Sequence, residues 1–111
     1  MMQNVLFQKK CMPCEGSSQP LRVNKVKKLI EQIPTWKLDD TFLQISKTFS
    51  FSTFMNAIEF VTKVAALAEE ENHHPNIKIS YRKVTLTCTT HAVHGLSEND
   101  FIMAAKIDKI I

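Results

Sequence analysis

A chain of 111 residues with 44% hydrophobic content, 23% charged content and a formal net charge of +3 has room for one globular core and not for two. It has no apolar run near the roughly 20 residues of a membrane-spanning helix. Its basic residues gather at Lys9-Lys10 and at Lys25, Lys27 and Lys28 without interleaved aromatics, which argues against nucleic-acid recognition. The Val5-Leu6-Phe7 triplet ahead of Lys9-Lys10 has neither the length nor the order of a secretory signal. Three cysteines, an odd number, fit a reducing compartment better than a disulfide framework, so the cytoplasm is expected.

Residues 1–21 show no clear period and read as an irregular leader before a single domain over residues 22–111. Cys11-Met12-Pro13-Cys14 has the C-x-x-C form. Zinc would need more ligands, and a redox motif would need a strand before it and a helix after it. Val23, Val26, Leu29, Ile30 and Ile33 fall at helical spacing with lysines on the other side, and Pro34 ends that helix. Trp36 and Leu38 open an extended segment, with a turn at Asp39-Asp40. From Phe42 to Phe51 the pattern alternates: Leu43, Ile45, Lys47, Phe49 and Phe51 share one side of a strand.

Ser52 is a suitable N-cap for the longest helix, whose apolar stripe comprises Phe54, Ile58, Val61, Ala65 and Ala68, broadened by Ala57 and Val64. Its last turn carries Glu69-Glu70-Glu71, where the macrodipole disfavours negative charge. A broken local rule of this kind often marks function. His73-His74-Pro75 follows, and Pro75 biases His74 out of the α region, so the helix should finish at or just before the pair. There His73 meets backbone carbonyls, and Glu69 lies one turn earlier on the same face. Both favour the protonated ring, and an imidazole that exchanges its proton near neutrality suits acid–base work.

The period then switches to two. Ile77, Ile79 and Tyr81 alternate with Lys78, Ser80 and Arg82, and after an Arg82-Lys83 turn Val84, Leu86 and Cys88 alternate with threonines. His91 shares the parity of the threonines and should project from the polar face of that strand. Such a hairpin brings its beginning, near His74, close to its end, near His91. Three histidines distant in sequence can then meet at one mouth. Gly95 turns the chain, and Ser97-Glu98-Asn99-Asp100 has capping-box form, opening a last helix that buries Phe101, Ile102, Ala105 and Ile110. The order α-β-β-α-β-β-α predicts an α+β fold, a four-stranded antiparallel sheet with three helices packed on one face.

The spacing Glu69-x3-His73-His74-Pro75, then Tyr81, His91 and Asp100, resembles the signature of the pterin-4a-carbinolamine dehydratases. The block from Thr90 to Phe101, continuing into Ala104-Ala105-Lys106-Ile107-Asp108, is similar to that family's C-terminal part. Cys11-x-x-Cys14-Glu15-Gly16, Pro20-Leu21 and Trp36 resemble its microbial and plant members. The resemblance implies the same α+β fold and conversion of a 4a-hydroxytetrahydropterin to quinonoid dihydropterin and water, which recycles the pterin spent by aromatic amino-acid hydroxylases. It implies a homodimer or homotetramer, with the pterin as substrate and no metal or other cofactor. By the same resemblance His73 and His91 form an acid/base pair and His74 holds the pterin. Glu69, Asp100 and Thr90 orient these groups, and Trp36 closes the pocket. Asp100 is equally the capping-box carboxylate. His94 stands where relatives often have a small residue.

Two other classes fit parts of the pattern. One is a non-catalytic dimerisation module, since some animal relatives serve a homeodomain transcription factor. The other is a zinc hydrolase built on His73, His74, His91 or His94, although an adjacent pair bent by proline seldom places both rings on one ion.

Overall fold

The computed structural model describes residues 6–12 and 19–111, so Cys14 and the rest of the segment 13–18 lie outside the described residues. Three helices and four strands follow in the expected order: α1 (Val23–Ile30), β1 (Lys37–Leu38), β2 (Ile45–Ser50), α2 (Phe54–Glu71), β3 (Asn76–Ser80), β4 (Lys83–Cys88) and α3 (Glu98–Asp108). Short 3₁₀ turns at Leu6–Gln8 and His91–Val93 complete the described structure. All strand pairs are antiparallel, in the order β1-β2-β4-β3. Thus β4 returns into the gap between β2 and β3. Its Val84, Leu86 and Cys88 are buried, and Ile45 and Phe49 of β2 lie beside Cys88 and Val84 in register. This α+β arrangement is the expected one.

The element ends moved for local reasons. Pro34 disfavours helical backbone at Ile33, and the last turn of α1 loosens into bonds from Gln32 N–H to Leu29 C=O and Ile33 N–H to Ile30 C=O. The cap of α2 is Thr53 rather than Ser52: Thr53 Oγ1 accepts the Asn56 N–H at 3.0 Å, while Ser52 Oγ accepts the Asn56 side-chain amide. The hairpin turn is Tyr81-Arg82, one residue before the expected Arg82-Lys83, with Tyr81 at φ 55°. Phe42, at φ 61°, belongs to the turn before β2 rather than to the strand.

The buried stripe of α2 is Ala57, Phe60, Val64, Ala68 and Glu71, rotated from the expected one. Phe54 is 45% exposed, because the helix lies across β4 and turns its Phe54 and Met55 away from the sheet. α3 is the central element: every residue from Asn99 to Ala105 is buried, and Ile107 as well. Ile110 lies beyond the helix and is half-buried. Leu6, in the stretch with no period, is 1% exposed and joins the core from its turn against α3.

Candidate active site

Asn72 ends α2 in the left-handed conformation (φ 53°), and both its N–H and that of His73 reach the Ala68 carbonyl. Asparagine is one of the few residues that takes this conformation at little cost. The reversal lifts His73 off the helical surface, so Glu69 does not meet it one turn later as expected. Glu69 instead hydrogen-bonds His74 Nε2, and His73 Nε2 turns inward to Asp100 Oδ1 at 2.8 Å.

Asp100 is fully buried and serves two separate parts of the chain at once. Its second oxygen accepts the Thr90 hydroxyl at 2.7 Å and the Ser97 N–H at 3.0 Å. The capping-box role and the histidine-holding role therefore coincide in one carboxylate. His91 does not project from the strand. β4 stops at Cys88, Thr90 pairs with Gly95 in an isolated bridge, and His91 opens the 3₁₀ turn beyond it. The hairpin still does what its register requires, since Asn76 at the start of β3 lies opposite Thr87 near the end of β4.

A cavity of about 440 Å³ is lined by His73, His74, Thr90 and His91 together, with Cys11, Met12, Glu71, Asn72, Thr89, Ala92 and Asn99. Three of the four histidines thus share one cavity. His94, left-handed at φ 56° and exposed, is not among the lining residues. Nor is Trp36, which was expected to close the pocket. It is 4% exposed, donates its indole N–H to the Asp108 carboxylate at 3.1 Å and stacks edge-on to Phe49. A buried indole needs an acceptor for its N–H, and the end of α3 supplies one.

With Nε2 committed to a carboxylate, His73 and His74 each present Nδ1 as the remaining nitrogen for proton exchange. The Cys11 thiol, pushed up to about 12 by burial and then by the Glu71 carboxylate, stays protonated and supplies no nucleophile.

The sequence reading missed Glu71, whose side chain is 1% exposed. The acidic run at the end of α2 is its signal, but helical spacing singles out Glu69 as the partner of His73. Burial pushes the Glu71 carboxyl up, while the Cys11 N–H and the Lys106 and Lys10 ammonium groups outweigh it and leave it below its ordinary value. A lowered folded-state value contributes stability that is present above the unfolded value of about 4.5 and lost as pH falls through the folded one. Glu71→Gln is therefore expected to cost about 3 kcal/mol at neutral pH, the low end for a broken buried pair because Lys106 still reaches water. Urea midpoints at pH 7 and pH 4 check it: the gap between variant and parent should narrow at pH 4.

The comparisons with known proteins bear on this geometry. The family model described as pterin 4 alpha carbinolamine dehydratase matches residues 19–110. The chain belongs to the pterin-4-alpha-carbinolamine dehydratase family. That is a family of hydro-lyases. A relative from Methylococcus capsulatus, provisionally named pterin-4-alpha-carbinolamine dehydratase, is 43% identical over 105 residues, covering 95% of this chain and 92% of its own. Another from Nitrosomonas eutropha, named in the same way, is 43% identical over 107 residues, covering 96% and 93%. Among solved structures, a transcriptional coactivator/pterin dehydratase from Brucella melitensis superposes with a TM-score of 0.78 at 29% identity, over 83% of this chain and 98% of that one. A pterin dehydratase-like RuBisCO assembly factor of the alpha-carboxysome gives 0.60 at 26% identity, over 68% and 88%.

Proposed function

We propose that this protein dehydrates a 4a-hydroxytetrahydropterin to the quinonoid dihydropterin by histidine acid–base catalysis, serving the recycling of tetrahydropterin in the cytoplasm. The observation that carries the reading is the meeting of His73, His74 and His91 around one cavity, two of them backed by carboxylates. In the reaction the C4a–O bond breaks with its electron pair going to oxygen. That oxygen takes a proton from an acid and leaves as water. A base takes the proton of the neighbouring ring nitrogen, whose electrons form the new C=N bond, so no oxidant or reductant enters. His73 and His91 exchange these two protons, and His74, held by Glu69, binds the pterin. Asp100 fixes His73 and, through Thr90, the approach to His91. No metal or further cofactor is needed for such a step, and turnover should survive a chelator.

The deciding experiment follows 4a-hydroxytetrahydropterin breakdown with purified protein against the spontaneous reaction. A rate no faster than the spontaneous one overturns the reading.

We further propose that the chain works as a homodimer or homotetramer. β3 is an edge of the sheet, and its Ile77 and Ile79 are 38% and 42% exposed although they share a face with buried Leu86 and Val84. An unpaired edge carrying aliphatic side chains is a template for pairing. Sedimentation should give a mass of two or four chains, and Ile77→Lys with Ile79→Lys should shift it toward one. No helix among the described residues is long and apolar enough to cross a membrane.

A further inference from the structure

The feature left unexplained by the acid–base chemistry is the path of the N-terminal segment. Residues 6–12 run along α3 to the cavity, where Cys11 and Met12 form part of the lining. The segment is tied at each step. Leu6 sits in the core, Lys9 pairs with Glu98 at 2.9 Å, and the Lys109 ammonium lies over the Phe7 ring. The ties next to the cavity engage mainly backbone atoms of the segment. Glu71 Oε1 accepts the Cys11 N–H at 2.8 Å. The Asn99 side chain closes a two-bonded clamp on Met12, accepting its N–H at 2.9 Å and donating to its C=O at 2.6 Å. The Cys11 thiol points to the Asn99 carbonyl at 3.7 Å.

Both clamping residues adjoin the site. Glu71 lies two positions before His73, and Asn99 immediately precedes Asp100. Their side chains are buried, which costs free energy unless the groups are satisfied: the backbone of residue 12 satisfies the Asn99 amide, and that of residue 11 satisfies Glu71 Oε1, with Oε2 facing the Lys106 ammonium at 3.2 Å. Clamps on main-chain atoms fix where the segment runs whatever side chains it carries. They bring two sulfur-bearing side chains to a cavity otherwise lined mainly by imidazole, hydroxyl, amide and carboxylate groups. Sulfur makes favourable contacts with flat aromatic rings, and the Met12 side chain is flexible enough to follow one.

We infer that Glu71 and Asn99 are positioning residues that hold Cys11 and Met12 as a sulfur-lined wall for the face of the substrate's flat heterocycle. This inference rests on the pterin reading above. Met12 is 68% exposed at the cavity lining and becomes covered when the ring is bound. The wall acts on binding and leaves proton transfer to the histidines.

The test compares parent, Met12→Ala, Asn99→Ala, Glu71→Ala and the core variant Val64→Ala in the full chain. Three readouts are taken: KM and kcat for a 4a-hydroxytetrahydropterin, Kd for unreactive 7,8-dihydrobiopterin, and hydrogen exchange at the Cys11 and Met12 amides. Met12→Ala should raise KM and Kd by about three- to tenfold, the range of sulfur–aromatic contacts, with kcat within twofold. Asn99→Ala should do the same and speed amide exchange at Met12 by about tenfold through loss of the clamp. Glu71→Ala should likewise raise KM and Kd and speed amide exchange at Cys11, whereas Val64→Ala, a core truncation outside the cavity lining, should lower stability yet leave KM near the parent's, which separates positioning from general loosening. Active parent protein with KM and Kd unchanged in both Met12→Ala and Asn99→Ala overturns this inference alone. A parent that neither turns over the hydroxypterin nor binds dihydrobiopterin overturns the proposed function and the pterin wall together.

Discussion

Replacing His73 or His91 by alanine is expected to lower turnover of a 4a-hydroxytetrahydropterin by about 10²-fold or more, the scale on which one acid or base contributes. The two losses should differ in character. His73 is 12% exposed at its side chain and fixed by Asp100, so its removal also leaves a buried carboxylate without one partner. His91 is exposed on a 3₁₀ turn, where its carbonyl accepts the His94 N–H but its side chain has no hydrogen-bond partner among the described residues, so His91→Ala should leave the unfolding midpoint nearly unchanged. Steady-state kinetics beside urea unfolding checks both. Parent-like turnover in the two variants would sink the acid–base assignment.

Asp100→Asn is expected to reduce turnover by about 10- to 100-fold, the usual cost of losing the group that orients a working imidazole. The reason is a conflict of donors. Ser97 N–H is a fixed donor at 3.0 Å and Thr90 donates at 2.7 Å, so the asparagine oxygen must stay on their side. Its amide NH₂ then faces His73 Nε2, which must become an acceptor and move the ring proton to Nδ1, the nitrogen left for the substrate. Asp100→Ala removes the acceptor altogether. The Ser97 N–H is left unpaired at the start of α3, and stability should fall by about 3 kcal/mol. A lower kcat in Asp100→Asn with a nearly unchanged unfolding midpoint, against a large drop of that midpoint in Asp100→Ala, would separate the two roles. Equal kcat in parent and Asp100→Asn would deny the carboxylate any part in setting the proton on His73.

Residue patterns that act over a few positions are legible in the sequence. The switch from a helical period to alternation at Pro75 placed α2, β3 and β4, and Ser97 with Asp100 placed the start of α3. The hairpin period alone brought His74 and His91 to the same end of the sheet. Pairings beyond that range went differently. Glu69 meets His74 because one left-handed residue, Asn72, redirects the chain within a single step that helical spacing does not anticipate. Trp36 went to the core because its N–H found Asp108, a residue 72 positions away.

Glu71 illustrates the division most clearly. Its position at a helix C-terminus looked like a violated electrostatic rule, and in isolation it is one. Folding brings the Cys11 N–H, Lys106 and Lys10 against it, and those distant groups reverse the local sign. The sequence by itself determined the order of elements and the convergence of three imidazoles, since periodicity, capping and hairpin register are short-range properties of the chain, and its motif spacing carried the family resemblance. Only the tertiary structure decided which carboxylate holds which ring and that residues 6–12 reach the cavity. Those outcomes depend on long-range burial, where a buried charge or N–H takes whatever partner the packed chain delivers.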